Sequence, residues 1–117
     1  HTEAVSDYCE DADTVVVAYG STARLAKSAV EAARKEGMKV GIVRPITLWP
    51  YPAKEIAEAC KNAKNVLCVE MSMGQMVDDV KIALNCSKPV EFYGRTGGVI
   101  PKPAEILAKL REMGGKN

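Results

Sequence analysis

The chain has 117 residues, 47% of them apolar, which is enough for one compact core and too little for a second. Lys plus Arg number 16 against 15 Asp plus Glu, so no basic stripe is available to release counterions from a phosphate backbone, and nucleic acid is excluded as an expected partner. The apolar runs fall far short of the roughly 20 residues that cross a bilayer, and the polar start HTEAVSDYCEDAD has no hydrophobic signal region; the expectation is a cytoplasmic chain with no membrane partner.

Residues 1–13 are weakly patterned and read either as a linker or as a short edge strand. Residues 14–113 read as a single α/β domain and 114–117 as a tail. TVVVAY, 14–19, is an unbroken β-branched run, the pattern of a strand buried on both faces. In GSTARLAKSAVEAARKEG, Leu25, Ala26, Ala29, Val30 and Ala33 share one helical face, with Ser21 or Thr22 as N-cap and Gly37 as terminator. KVGIVR, 39–44, is a second buried strand, and PITLWPYP cannot continue it because its prolines remove ladder donors.

Pro52 suits the first turn of a helix over residues 53–62, with Ile56, Ala57 and Cys60 inward. NVLCVEM, 65–71, is the third strand. EMSMGQM then turns into a helix from Gln75 to Leu84 whose apolar face carries Met76, Val77, Val80 and Leu84. PVEFYG, 89–94, is the fourth strand and RTGGVI a glycine turn. Pro103 opens a last helix with Ile106, Leu107 and Leu110 inward, ended by Gly114 and Gly115. Strands alternating with helices imply right-handed crossovers, hence a three-layer α/β/α fold around a mostly parallel sheet of about 4–5 strands.

Ligands of such sheets sit at the carboxyl ends of the strands, so GSTAR, RPITLWP, EMSMGQM and GRTGG are the loops of interest. Neither G-x-G-x-x-G nor G-x-x-x-x-G-K-[ST] is present. Ser21, Thr22 and the amides near Gly74 offer helix-terminal donors for an anion, although simple capping is the commoner use. Glu70, at a buried strand end, reads as a carboxylate of raised pKa or as an anchor held by backbone amides, Arg44 or Arg95. Met71, Met73 and Met76 read equally as an adaptable contact surface or as core filling. Trp49 is either an interface hot spot or a core plug. Arg95, with Thr96, Gly97 and Gly98, is the leading anion-binding candidate, set against a tight glycine turn. Cys9, Cys60, Cys68 and Cys86 form no C-x-x-C pair and His1 is the one histidine, so the thiols read as structural and no metal, catalytic or cofactor-binding residue is assigned.

VVVAYGSTARLAKSAVEAARKEGMKVGIVRPITLWPYP, VEMSMGQMVDDV and EFYGRTGGVIPKPAEIL occur in one order that resembles the C-terminal part of the α subunit of 2-oxoacid:ferredoxin oxidoreductases, over residues 12–111. More distantly the chain is similar to transketolase C-terminal domains and the β subunit of pyruvate dehydrogenase. The resemblance implies an enzyme that decarboxylates pyruvate, 2-oxoglutarate or a branched-chain 2-oxoacid on thiamine diphosphate, passes electrons through iron–sulfur clusters to ferredoxin and releases an acyl-CoA. It further implies that none of thiamine diphosphate, magnesium, clusters or CoA is bound by this chain, which would be inactive alone. Its role would be packing and assembly against the enzyme's other domains, the β subunit and, where present, γ and δ subunits, with ferredoxin an indirect partner.

Glu70, Gly74 and Gln75 match the family's E-x-x-x-G-Q turn, Arg44 and Pro45 its R-P loop, and Arg95, Gly97 and Gly98 its late turn. Ser72 departs from the asparagine that close relatives often carry. Two other readings stand beside this one: a stand-alone anion-binding or regulatory module using the helix N-termini and Arg95, and the C-terminal domain of another transketolase-like enzyme.

Overall fold

A computed structural model of the chain describes residues 4–18, 22–45, 53–70, 89–94 and 102–114. Within them are strands β1 (Ala4–Asp7), β2 (Thr14–Ala18), β3 (Val40–Pro45), β4 (Asn65–Glu70) and β5 (Val90–Gly94), and helices α1 (Thr22–Lys35), α2 (Ala53–Ala59) and α3 (Pro103–Gly114). The five strands form one sheet in the order β1-β3-β2-β4-β5. β3, β2, β4 and β5 run parallel, and β1 pairs antiparallel along the outer side of β3. The expected sheet is therefore present, as a mixed one of five strands.

The period-2 geometry of the strands sends successive side chains into two cores. Val16, Ala18, Ile42, Leu67 and Val69 meet α1 and α3, while Val15, Val17, Val43, Val66 and Cys68 meet Ile56 and Cys60 on the α2 side. Helices on both faces give the three layers. On α1 the inward residues Ala23, Ala26, Ala29 and Ala33 are small and almost fully buried, which lets the helix lie close on the sheet and against α3. Burying a valine or leucine side chain contributes about 1.5–3 kcal/mol, so the doubly buried strands β2 and β4 dominate the apolar stabilisation.

The helix ends follow their local chemistry. Gly37, at φ 89°, ends α1 in a Schellman motif: its N–H donates to Arg34 O and that of Met38 to Ala33 O, each at 3.0 Å. α3 starts with Pro103 at the first helical position, and the Lys102 amide donates to Glu105 Oε1 at 2.9 Å, half of a capping box. α2 is shorter than the sequence suggests. After Ala59 the chain unwinds through turns in which Cys60 N still reaches Ile56 O at 3.0 Å while Ala63 N bonds Cys60 O, so Cys60 keeps its inward position. The expected helix from Gln75 to Leu84 lies outside the described residues.

Residues 8–13 return the chain from β1 along the amino edge of the sheet to β2. Arg34, in the last turn of α1, fastens this strap. Its Nε donates to Val40 O at 2.8 Å, its Nη2 to Tyr8 O and to Asp11 Oδ1 at 2.7 Å each, and its guanidinium lies 4.9 Å from the centre of the Tyr8 ring. Tyr8 turns the chain at φ 62°, a left-handed conformation that the clasp holds. The strap lies so close to β3 that only glycine fits at 41, where a Cβ would stand 2.8 Å from Cys9 Cα and from Tyr8 O. Among the described residues, ion pairs of Arg111 with Glu36 after α1 and of Lys109 with Glu91 on β5 join α3 to the rest.

Candidate functional site at the carboxyl edge of the sheet

The connection from β2 through α1 leads to β3 on one side, and the chain then crosses back over β2 to β4 on the other. β2 and β4 thus form the switch point of the parallel sheet, where outgoing connections diverge, the position at which open α/β sheets generally take their ligands. Ala18, the last residue of β2, is in register with Val69 of β4. α1 begins with Thr22, 2% exposed, whose hydroxyl donates to Val69 O at 3.4 Å. That is a long bond. It ties the first turn of α1 to β4, so Thr22 acts as an internal strut between the two elements rather than as a donor presented to solvent.

Glu70 is the last residue of β4 and stands opposite Gly94 at the end of β5. The strand order corrects one expectation about its neighbours. β2 lies between β3 and β4, which places Arg44 two strands away, on the order of 10 Å across the sheet. Arg44 is exposed and sits in register with Val5 of β1. Of the two arginines considered as partners for Glu70, only Arg95 follows a strand adjacent to β4. Thr22 at the start of α1, Arg44 on β3 and Glu70 at the end of β4 are thus distributed along one edge of the sheet. Ser21, Trp49, Ser72, Gly74, Gln75, Arg95, Thr96, Gly97 and Gly98 lie outside the described residues, as do Met71, Met73, Met76 and Cys86.

The described thiols are placed as small hydrophobes. Cys60 and Cys68 are fully buried in the α2-side core. Cys9 is partly buried, its Sγ donating to Ile42 O at 3.4 Å and to Asp7 O at 3.5 Å, and burial pushes its pKa up to about 11. The environment of Cys9 favours the neutral thiol, which is a poor metal ligand and a poor nucleophile. No group of three His, Cys, Asp or Glu among the described residues is arranged to hold a metal ion, and no helix among them is long and apolar enough to cross a membrane.

Sequence reasoning missed the residues that order the amino edge. Arg34 looks like an ordinary cation in the last turn of a helix, and its partners Tyr8 and Asp11 lie in the weakly patterned segment. Thr14, whose hydroxyl bonds Asn65 Oδ1 at 2.6 Å across the start of β2 and β4, reads from sequence as one more β-branched strand residue. Gly41 carried the one available signal, a glycine within an apolar strand, which marks close backbone approach.

Residues 12–106 match the family model for pyruvate:ferredoxin oxidoreductase core domain II. A ketoisovalerate oxidoreductase subunit VorB of Methanothermobacter marburgensis is 47% identical over 108 residues, covering 92% of this chain and 30% of that protein. The chain therefore spans about a third of the length of the curated relative. Among solved structures, 2-oxoglutarate:ferredoxin oxidoreductase from Magnetococcus marinus, with 2-oxoglutarate, coenzyme A and succinyl-CoA bound, superposes with a TM-score of 0.80 at 23% identity, covering 96% of this chain and 20% of that one. A split-gene transketolase, an inactive β4 tetramer, shares the fold with a TM-score of 0.74 at 19% identity, covering 88% of this chain and 38% of that one.

Proposed function

Since the chain belongs to the family of pyruvate:ferredoxin oxidoreductase core domain II, we propose that it is a non-catalytic domain in the α subunit of a thiamine-diphosphate-dependent 2-oxoacid:ferredoxin oxidoreductase. The carrying observation is the family match itself, which runs over residues 12–106, from the approach to β2 into α3. In this reading the complete enzyme is cytoplasmic, decarboxylates a 2-oxoacid oxidatively, forms an acyl-CoA and reduces ferredoxin. The domain contributes packing and subunit assembly.

The described side chains support a scaffold rather than a cofactor site. An iron–sulfur cluster requires converging thiolates, and Cys60 and Cys68 are enclosed in the core while Cys9 faces backbone carbonyls. They do not fit that group. On this ground the clusters are assigned elsewhere in the enzyme; thiamine diphosphate with its magnesium, and CoA, are assigned to other domains and subunits on the family resemblance. What the described residues supply at the carboxyl edge is parallel strands in register, the Thr22 hydrogen bond onto β4, and Glu70 at the end of β4 opposite the end of β5. We assign this edge to contacts with the enzyme's other domains and with its β subunit, extending to γ and δ subunits where the enzyme has them.

Two measurements test the reading. The chain alone, given thiamine diphosphate, magnesium, CoA and a viologen acceptor, is expected to show no acceptor reduction with pyruvate, 2-oxoglutarate or 2-oxoisovalerate; turnover with any of them overturns the non-catalytic assignment. In the complete enzyme, Glu70→Gln is expected to lower the yield of assembled complex more than the kcat of the complex that forms. A loss of turnover in fully assembled complexes would instead make Glu70 a participant in the chemistry.

A further inference from the structure

On the amino edge of the sheet, opposite the strand ends assigned to assembly, a cavity of about 420 Å³ opens between the C-terminal turns of α1 and α3 and the first residues of β2, β3 and β4. Its size falls in the range of small-molecule sites. Val40, Leu110 and Met113 form its apolar wall and are themselves almost fully buried, while Lys39, Lys64 and Arg111 stand on its rim.

The backbone holds this rim in place. Asp13 N donates to Lys39 O at 2.8 Å and Lys64 N to Asp13 O at 2.7 Å, so the two lysines flank residue 13 from neighbouring strands. Thr14 and Asn65 bridge the strands just inside, at 2.6 Å. Arg111 is neutralised by Glu36. By contrast, neither lysine ammonium has a hydrogen-bond or ion-pair partner among the described residues, and Lys39 acts on Asp11 only at longer range. The Schellman motif ties down the last N–H groups and carbonyls of α1 beside the cavity. Two free cations against the Asp13 carboxylate leave a net charge of one positive unit at the mouth of an apolar recess.

We propose that this cavity binds a small monocarboxylic acid, its carboxylate between Lys39 and Lys64 and its hydrocarbon chain against Val40, Leu110 and Met113. The inference is independent of the assembly role given to the opposite edge. It accounts for two lysines whose backbone is fixed beside an apolar wall and whose ammonium groups have no acidic partner among the described residues.

Hexanoate is the probe. Titrated into the 117-residue chain with isotope-labelled methyl groups, it is expected to give saturable shifts at Val40, Leu110 and Met113. Both rim lysines are exposed, so the Lys39→Gln/Lys64→Gln double variant is expected to keep the parent melting temperature and lose at least tenfold in affinity. Hexylamine, with the same chain and opposite charge, is expected to bind more weakly than hexanoate. The proposal is overturned if hexanoate leaves those methyls unmoved at millimolar concentration, if hexylamine binds as well as hexanoate, or if the correctly folded double variant retains parent affinity.

Discussion

Replacing Gly41 by alanine adds one methyl group at the closest approach between the strap and the sheet. The new Cβ would lie 2.8 Å from Cys9 Cα, 2.8 Å from Tyr8 O and 3.0 Å from Cys9 N. All three are backbone atoms, so no rotamer change relieves the contact. Ordinary van der Waals separation requires the strap to retreat by roughly half an ångström or more, and the Arg34 bonds to Tyr8 O and Asp11 at 2.7 Å oppose that movement. Overpacking of this kind costs about 1–3 kcal/mol, equivalent to a fall of roughly 3–12 °C in melting temperature for a domain of this size.

Gly37 supplies the control, because at φ 89° an added Cβ there meets nothing within 4 Å. Only backbone strain of about 1 kcal/mol is expected at that position. Urea unfolding followed by far-UV circular dichroism measures both variants. If the clasp enforces the contact, removing it in Gly41→Ala/Arg34→Met makes the two losses less than additive. A Gly41→Ala variant within about 0.5 kcal/mol of the parent, the ordinary scatter of a neutral substitution, would refute the close packing of strap on β3.

Arg34→Met is expected to speed amide hydrogen exchange over residues 8–11 while leaving β4 and α3 protected, and Arg34→Lys should not restore protection because an ammonium lacks the planar fork; equal exchange in all three proteins would count against the clasp. The Arg34 guanidinium beside Asp11 and that of Arg111 beside Glu36 hold both carboxyls below their ordinary pKa. Their contribution is therefore complete above the unfolded carboxylate range and is lost as pH falls below that range through the depressed folded values, so acid unfolding of Arg34→Met/Arg111→Met should depend less on pH below about 4 than that of the parent. Cys9 shifts the other way: its thiol stays protonated in the folded protein to about 11, against 9.0 unperturbed. Stability should decline as pH rises from 9 toward 11, and alkylation of Cys9 by iodoacetamide at pH 8.5 should be slower in the native chain than in urea. Equal rates would mean that Ile42 and Asp7 do not shelter the thiol.

The parts legible in the sequence were those with dense local repetition. β2 and β4 announce themselves because a strand covered on both faces carries an unbroken apolar run, and α1 because its alanines recur at helical spacing. β1 does not, because a four-residue edge strand with two exposed residues in its middle has no burial pattern to read, and what positions it is a guanidinium 26 residues away from Tyr8. Strand order was equally illegible. Connection lengths admit a crossover in either direction across β2, so proximity along one edge suggested Arg44 for Glu70 where the sheet interposes a strand. At the carboxyl edge, motif order pointed to the family, whereas the individual functions of Thr22, Arg44 and Glu70 depended on burial and register that no spacing encodes.

The antiparallel pairing of β1 also bears on how long the folded chain lasts. β2, α1 and β3 are consecutive and can form a compact unit early, but β1 has no partner until β3 exists, and Asp7 must then find Ile42 and Ala4 find Pro45 across a closed loop. Contacts made after the rate-limiting barrier leave the folding rate almost untouched and act on the rate of escape. β1 and the Arg34 clasp are therefore expected to behave as a brake on unfolding: weakening them shortens the lifetime of the native state while the chain still finds its fold as quickly as before.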